Sequence, residues 1–165
     1  MVKFIWHNGE VPATLKVKQV YGLLFTKDGR MLVRIEKAPS GKSYSLAGGT
    51  PEAYDKDLEA TLRREVIEEV NTKIDKPIMV GYQEVVLDDG KSFAQARMVA
   101  LIKEIGEKLP DPDNGEIYER LLTTPEKAID YINWGEVGKK QILEAKRLAQ
   151  EKLGLSEFSD VEEYV

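Results

Sequence analysis

Three carboxylates are concentrated in one hexapeptide of the chain, Arg-Glu-Val-Ile-Glu-Glu. Each residue of an α-helix turns about 100°, so Glu65, Glu68 and Glu69 would share one arc of a helix. The upstream pair Gly48-Gly49 would add a flexible loop, because glycine lets the backbone approach a ligand closely. Carboxylates, backbone carbonyls and substrate phosphates are the ligands that Mg²⁺ takes in proteins. The spacing therefore predicts a magnesium site suited to cutting a phosphoanhydride.

A solvated charged face is the simpler interpretation of the same residues. Neighbouring like charges on a helix cost about 0.2–0.5 kcal/mol each, however, and few lysines lie nearby in the sequence to offset them. A bound divalent cation would remove this repulsion. The metal site is therefore the favoured interpretation, and the solvated face is its alternative.

The segment that carries these carboxylates is the clearest helix in the sequence, over residues 55–70. Apolar residues recur there at every fourth position and form one ridge, which would anchor the helix on a core. The ridge consists of Leu58, Leu62, Val66 and Val70. The acidic arc borders this ridge without belonging to it. Asn71 is a plausible end of the helix, because asparagine tolerates the left-handed conformation.

Strand and helix patterns around this segment predict an α/β fold. Strands are predicted at residues 3–6, 17–26, 30–37, 44–47, 78–87, 93–105 and 116–122. Two further helices are predicted at residues 125–133 and 136–153. This order predicts an α/β/α sandwich with a mixed β-sheet between helices.

The ends of the chain carry weaker patterns. Residues 1–155 are predicted to form a single domain. The turn signal Asn8-Gly9 predicts an N-terminal edge hairpin over residues 1–14, through which two copies could pair as a homodimer. The acidic tail, residues 156–165, is predicted to be disordered.

Composition excludes several classes of function. The formal net charge of −5 argues against a nucleic-acid binder, which needs a basic surface to contact phosphates. The chain has no cysteine, so disulfides, thiolate metal sites and cysteine nucleophiles are excluded together. No apolar stretch is long enough to span a bilayer. We therefore expect a cytoplasmic protein with no nucleic-acid or membrane partner.

The glycine pair and the acidic hexapeptide together resemble the signature of the Nudix hydrolase family, also called MutT-like. That signature is a glycine, five residues, a glutamate, seven residues, and then Arg-Glu-aliphatic-x-Glu-Glu-x-Gly-aliphatic. Residues 64–69 match its second half, and Gly49 matches its first glycine. The order of strands and helices over residues 15–153 is also similar to the family's.

The chain departs from the signature at a few positions. Asp55 stands where the family has its first glutamate, and eight residues rather than seven separate it from Arg64. A strict count backwards from Arg64 would place Lys56 at that position instead. Asn71 replaces the final glycine and Thr72 the final aliphatic residue. The departures concern the outer edge of the predicted site and leave its three helix carboxylates in place.

The resemblance implies a role for each matching residue. It implies that Glu65, Glu68 and Glu69 hold Mg²⁺, or Mn²⁺ in its place, with the carbonyl of Gly48 as a further ligand. It also implies that Arg64 pairs with a carboxylate and keeps the helix in register with the loop at Gly49.

The general base stays open between several glutamates. Glu65 and Glu68 are the favoured candidates. Family members often carry another glutamate in a loop before the last strand, and Glu116 is the best match to it, with Glu119 as the second choice.

Cationic and aromatic residues outside the motif are candidates for contacts with substrate. Arg34 and Arg97 could bind phosphates, and Tyr44 could stack on a base. The alternative for each is an ordinary surface charge or a place in the core. The same two interpretations apply to Lys42, Tyr82, Lys91, Phe93 and Trp134.

The reaction implied by the resemblance is hydrolysis of a phosphoanhydride in a nucleoside diphosphate linked to another moiety. The expected partner is therefore a small, nucleotide-like diphosphate. The alternative is a catalytically inactive Nudix-fold module that binds a nucleotide or regulates, and the departures from the signature motivate it.

Overall fold

A computed structural model describes all residues, 1–165, as ten strands and three helices. In chain order the first elements are β1 (Lys3–Asn8), β2 (Val17–Phe25), β3 (Met31–Ala38), β4 (Gly41–Ser45), β5 (Ala47–Gly49) and α1 (Leu58–Val70). The remaining elements are β6 (Thr72–Ile74), β7 (Ile78–Val86), β8 (Ser92–Ile105), β9 (Glu119–Thr123), α2 (Pro125–Ile132), α3 (Gly135–Lys152) and β10 (Glu163–Tyr164).

The strands form one mixed sheet in the order β1-β7-β8-β2-β3-β9-β10. Strands β2 and β8 run parallel, whereas the other pairs are antiparallel. The short strands β4, β5 and β6 pair with β3, β2 and β8 outside this path. Helix α1 packs in one apolar core, and α2 and α3 pack in a second core with other side chains of the same strands. The predicted α/β/α sandwich with a mixed sheet is confirmed.

Helix α1 is fixed by its caps and by its apolar ridge. The Asp57 carboxylate accepts a hydrogen bond from the backbone N–H of Ala60 at 2.8 Å, which satisfies a donor of the first turn. Leu62 and Val66 are fully buried against the sheet. Asn71 ends the helix with φ +44°, in the left-handed region. The helix therefore presents its acidic arc at a defined angle above β5.

Helix α1 begins three residues after the predicted start at residue 55. The Asp55 carboxylate accepts hydrogen bonds from the backbone of Glu52 and from the hydroxyl of Thr61, both at 2.8 Å. Residues before Asp57 therefore form a loop that is tied back onto the first turn. Strand β6 was not predicted, because three residues are too few to show a period.

The predicted N-terminal hairpin over residues 1–14 is wrong. Strand β1 pairs antiparallel with β7, and residues 10–14 form no strand. Two physical reasons favour this pairing: β1 covers an edge of β7 that would otherwise expose unpaired backbone groups, and Pro12 has no N–H to give to a ladder. Strand β1 now forms one edge of the sheet, and a homodimer through it stays a prediction.

The acidic tail, residues 156–165, is ordered where disorder was predicted. Phe158 packs against the core under α2 and α3, and β10 pairs with β9. The Thr123 hydroxyl donates a hydrogen bond to the Glu162 carboxylate at 2.7 Å. The tail is held because one aromatic anchor and specific partners for its acids outweigh its polar composition. None of the three helices combines the length and apolar character needed to cross a bilayer.

Candidate active site

Glu69 joins the end of α1 to the glycine strand β5. Its Oε1 accepts a hydrogen bond from the backbone N–H of Gly48 at 2.8 Å, and its Oε2 pairs with the guanidinium of Arg34. The residue is 8% exposed. Both oxygens of Glu69 are therefore engaged by the protein, and the N–H of Gly48 ties its carboxylate to β5. The role of the Gly48 carbonyl as a metal ligand stays a prediction.

Burial sets the charge state of Glu69. Loss of solvent raises the pKa of its carboxyl to about 7, and this outweighs the opposite effects of Arg34 and of the Gly48 N–H. Arg34 is held in turn over the ring of Tyr118, with its guanidinium carbon 4.5 Å from the ring centroid. The predicted phosphate contact Arg34 thus lies at the acidic site, where it pairs with Glu69.

Arg64 joins the acidic arc to the loop that precedes the helix. It donates to both oxygens of Asp55, from Nε at 3.2 Å and from Nη2 at 2.9 Å, and to the carbonyl of Thr50 at 3.1 Å. Its Nη1 donates to Glu65 at 2.9 Å and to Glu68 at 3.4 Å. These hydrogen bonds raise the pKa of Arg64, and they hold the pKa of the Asp55 carboxyl well below its usual range. The aspartate that departs from the signature is thus the residue that fixes Arg64.

Glu65 lies directly beside the second glycine of β5. A Cβ built on Gly49 would stand 2.3 Å from the Glu65 Cδ, so a side chain at position 49 would displace the end of the Glu65 side chain. Burial raises the pKa of the Glu65 carboxyl, and the Arg64 guanidinium only partly offsets this effect. The absence of a side chain at Gly49 therefore leaves room for the Glu65 carboxylate in its observed position.

Glu68 meets two aspartates from a distant loop. Carboxylate oxygens of Glu68, Asp111 and Asp113 lie within 4.8 Å of one another. The loop holds itself in shape, because the Asp111 carboxylate accepts from the backbone N–H of Asp113 at 2.8 Å. Burial first, and then repulsion from Asp113 and Asp111, raise the pKa of the Glu68 carboxyl, against the attraction of Arg64. The site therefore concentrates negative charge that the protein only partly neutralises.

Sequence reasoning missed Asp111 and Asp113 and favoured Glu116 in this loop. The Glu116 side chain is exposed, and its carboxylate is not one of the three that cluster. Its backbone shapes the loop, since its carbonyl accepts from the N–H of Asp111 at 2.8 Å. The second choice, Glu119, pairs with Lys108 at 2.8 Å and with Lys37 at 3.3 Å. The available sequence signal was the acidic turn Asp-Pro-Asp-Asn-Gly itself.

The other two predicted substrate contacts lie on the opposite face of the sheet. Tyr44 stacks on Tyr131 of α2, with ring centroids 5.0 Å apart. Arg97 is 1% exposed, and its Nε donates to Gln141 of α3 at 2.7 Å. Neither side chain touches the carboxylates of α1.

The clustered oxygens suit a hard divalent cation. Mg²⁺ binds oxygen ligands at about 2.0–2.1 Å, so two ligands of one ion stand at most about 4.2 Å apart. The cluster of Glu68, Asp111 and Asp113 spans 4.8 Å, and small side-chain rotations would therefore close it around one ion. Glu65 shares Arg64 with Glu68 and stands at the edge of this cluster. The donor set contains only oxygen, which fits Mg²⁺ or Mn²⁺.

The sequence matches one protein-family model. The model of the NUDIX domain matches residues 16–146, most of the chain. The chain belongs to the NUDIX domain family. The matched range includes the glycine strand β5, the acidic helix α1 and the loop that carries Asp111 and Asp113. The sequence-based prediction of a Nudix hydrolase is therefore confirmed.

Solved structures share the Nudix fold of this chain at low sequence identity. A mutant of the Bacillus subtilis pyrophosphohydrolase BsRppH has a TM-score of 0.65 and 16% identity over 93% of both chains. The E. coli ORF135 protein has a TM-score of 0.56 and 16% identity, over 87% of this chain and 98% of its own. A MutT structure from a study of the Aliivibrio salmonicida and Vibrio cholerae proteins has a TM-score of 0.53 and 17% identity, over 78% of this chain and 97% of its own. No curated protein gives a significant match to the sequence.

Glu69 is expected to make the metal-free Nudix chain less stable as the pH rises towards neutrality. Because folding raises its pKa from 4.5 to about 7, the folded state binds more protons than the unfolded chain between these values. The contribution of Glu69 to the free energy of unfolding is complete below pH 4.5 and is lost as the pH rises through 7. The total loss is about 3 kcal/mol at most. Urea denaturation in chelator at pH 5 and pH 8 measures this loss, and Glu69→Gln should remove it.

Glu116→Gln is the matched control, because the same change is made at an exposed side chain of the neighbouring loop. It should keep the pH dependence of the unmodified protein. If the stability of Glu69→Gln fell with pH as much as that of the unmodified protein, the role assigned to Glu69 would be contradicted.

Proposed function

We propose that this chain is a Mg²⁺-dependent phosphohydrolase that cuts a phosphoanhydride in a nucleoside diphosphate linked to another moiety. The observation that supports it best is a cluster of three carboxylates in the Nudix domain. Glu68, on the helix of the Nudix motif, meets the loop residues Asp111 and Asp113. Glu68, Asp111 and Asp113 are the residues that would hold the ion. The similarity to a pyrophosphohydrolase fold is consistent with this chemistry.

The residues of the site divide the work of this reaction. When bound, Mg²⁺ would offset the charge of the phosphate oxygens and lower the pKa of a water. Glu65 or Glu68 would take the proton of the attacking water. Burial raises the pKa of both carboxyls. Arg64 donates to both side chains and so fixes their orientation. Arg34 pairs with Glu69 at the end of the helix.

A catalytically inactive nucleotide-binding module is the competing function. A panel of nucleoside diphosphate derivatives, incubated with and without Mg²⁺ and assayed for released phosphate or nucleotide, separates the two. The proposal predicts metal-dependent turnover of at least one member of the panel. Tight binding without turnover of any member would favour the module.

Asp111 and Asp113 are expected to contribute directly to metal affinity. Asp111→Asn combined with Asp113→Asn should weaken Mn²⁺ binding by about tenfold or more, because two of the three clustered carboxylates lose their charge. Electron paramagnetic resonance of free Mn²⁺ measures this affinity without any substrate. Asp160→Asn, in the exposed tail, is the control and should leave it unchanged. Unchanged Mn²⁺ affinity in the double variant would remove this loop from the metal site.

A further inference from the structure

A cavity of 470 Å³ lies on the face of the sheet that packs against α3, opposite α1. This volume falls within the range of pockets that hold small ligands. Its aromatic lining comes from Phe4, Tyr21 and Trp134. Its polar lining includes Arg97 and two glutamines of neighbouring strands. Stacking surfaces beside a single cation are suited to a flat, polar ring.

Arg97 is buried in this cavity wall without an acidic partner. Its Nε donates to Gln141 at 2.7 Å, and its Nη1 reaches the carbonyls of Gln95 and Ala96 at 3.3 and 3.5 Å. Its Nη2 donates to no protein atom, and no carboxylate lies near enough to support its charge, so burial lowers the pKa of Arg97 to about 10. The guanidinium carbon lies 4.8 and 5.6 Å from the centroids of two aromatic rings of the cavity, which offset part of its charge. Nη2 remains able to donate to an acceptor that enters the cavity, and a hydrogen bond from a charged donor is among the stronger ones.

A chain of amides fixes the direction of every hydrogen bond behind Arg97. Arginine can only donate, so the Gln141 side chain must turn its oxygen to Arg97 and its Nε2 to Gln83, at 3.0 Å. Gln83 then donates to Gln95 at 2.9 Å, and Gln95 donates to Gln19 at 3.1 Å. The amides cannot flip without breaking this chain. The guanidinium therefore presents a donor, and only a donor, to the cavity.

The cavity adjoins the carboxylate site through one residue of β5. Tyr21 pairs with Arg97 across β2–β8 and with Gly48 across β2–β5. Its ring lies so close to Gly48 that a Cβ there would stand 2.7 Å from the Tyr21 Cδ1. The N–H of the same Gly48 donates to Glu69. A molecule with its phosphates at the α1 carboxylates could therefore extend past Gly48 towards Arg97.

We propose that this cavity binds the base of the substrate's nucleoside. Arg97 selects bases that carry a keto oxygen, rather than an amino group, at the position that faces its guanidinium. This inference rests on the proposed function for its nucleotide substrate. A phosphate is the weaker candidate occupant, because a dianion needs several donors and would be desolvated against three aromatic rings. A keto base accepts from Arg97 through one atom and stacks with the rest of its ring. Arg97 is thus the specificity-determining residue.

Binding of inosine 5′-monophosphate and adenosine 5′-monophosphate, measured by calorimetry in chelator, tests this inference. The two ligands present a keto oxygen and an amino group, respectively, at the same position of the purine ring. Inosine monophosphate should bind at least about tenfold more tightly, the size expected for a hydrogen bond to a charged donor. Arg97→Met should reduce the ratio to about one, whereas Arg147→Met, on the exposed side of α3, should preserve it.

A second variant and a further ligand keep the test decisive if Arg97→Met fails to fold. Val137→Trp would fill the cavity from α3 and should weaken both nucleotides without touching the carboxylate site. Equal affinity for the two nucleotides, or ribose 5-phosphate binding as tightly as inosine monophosphate, would overturn the inference. Because no turnover is measured, a protein that discriminates between the bases but hydrolyses nothing would refute the proposed function alone.

Discussion

Replacing Glu68 with glutamine is expected to lower kcat by about 10²- to 10⁴-fold while the protein stays folded. Glu68 is the one helix carboxylate that meets both loop aspartates, and the amide keeps its size but removes its charge. Steady-state kinetics at saturating Mg²⁺, on a substrate found with the nucleotide panel, measures the loss. Glu116→Gln should retain activity within about twofold, because that side chain lies in solvent. A Glu116→Gln variant as impaired as Glu68→Gln would contradict the site described above.

Glu65→Gln distinguishes the general base from the ligands of the ion. If Glu65 is the base, its glutamine variant loses turnover but keeps its Mn²⁺ affinity, whereas Glu68→Gln loses both. The acidic limb of the pH–rate profile is the fall in rate at low pH, where the base becomes protonated. If Glu68 is the base as well as a ligand, Glu65→Gln retains this limb. Arg64 donates to both carboxylates, so it does not favour one of them over the other as the base.

Replacing the two glycines of β5 with alanine is expected to have different effects, one on stability and the other on catalysis. A Cβ on Gly48 would stand 2.2 Å from the Val20 carbonyl oxygen and 2.6 Å from the Tyr21 Cα, both backbone atoms of β2. Relief requires β5 to separate from β2, so Gly48→Ala should cost on the order of 3 kcal/mol of folding free energy. Denaturant unfolding measures this cost, and a stability within about 0.5 kcal/mol of the unmodified protein would contradict it.

Gly49→Ala should instead spare stability and damage catalysis. Its Cβ would meet only the end of the Glu65 side chain, which can rotate away at small cost. The displaced carboxylate would then miss its position by about 1 Å, a change that can lower turnover by about 10²-fold. Full activity in a folded Gly49→Ala protein would mean that the position of Glu65 is unimportant for the reaction.

Local patterns in the sequence were sufficient to predict the helix that carries the site. The apolar ridge at every fourth position and the asparagine after Val70 define α1 from within its own residues. The spacing of the acids then follows from helix geometry. Arg64 was predicted to pair with a carboxylate, and the structure supplies Asp55 as its main partner.

Long-range contacts could not be read from the same patterns. Asp111 meets Glu68 only because β8 and β9 bring their connecting loop over the end of α1, and no local signal carries that topology. The turn signal at Asn8-Gly9 predicted a local hairpin for a similar reason. Strand β1 pairs instead with β7, which is distant in the sequence. The amide chain behind Arg97 unites β2, β7, β8 and α3, and it becomes visible only when these elements are packed together.

Dependence of turnover on the divalent ion is the most direct test of the central claim. Hydrolysis of the best substrate from the nucleotide panel should cease in excess chelator and return when Mg²⁺ is added back. The return should saturate with Mg²⁺ concentration in the unmodified protein. In the Asp111→Asn, Asp113→Asn double variant it should need at least about tenfold more Mg²⁺ to reach half of its maximum. Hydrolysis that continues undiminished in excess chelator would contradict the account.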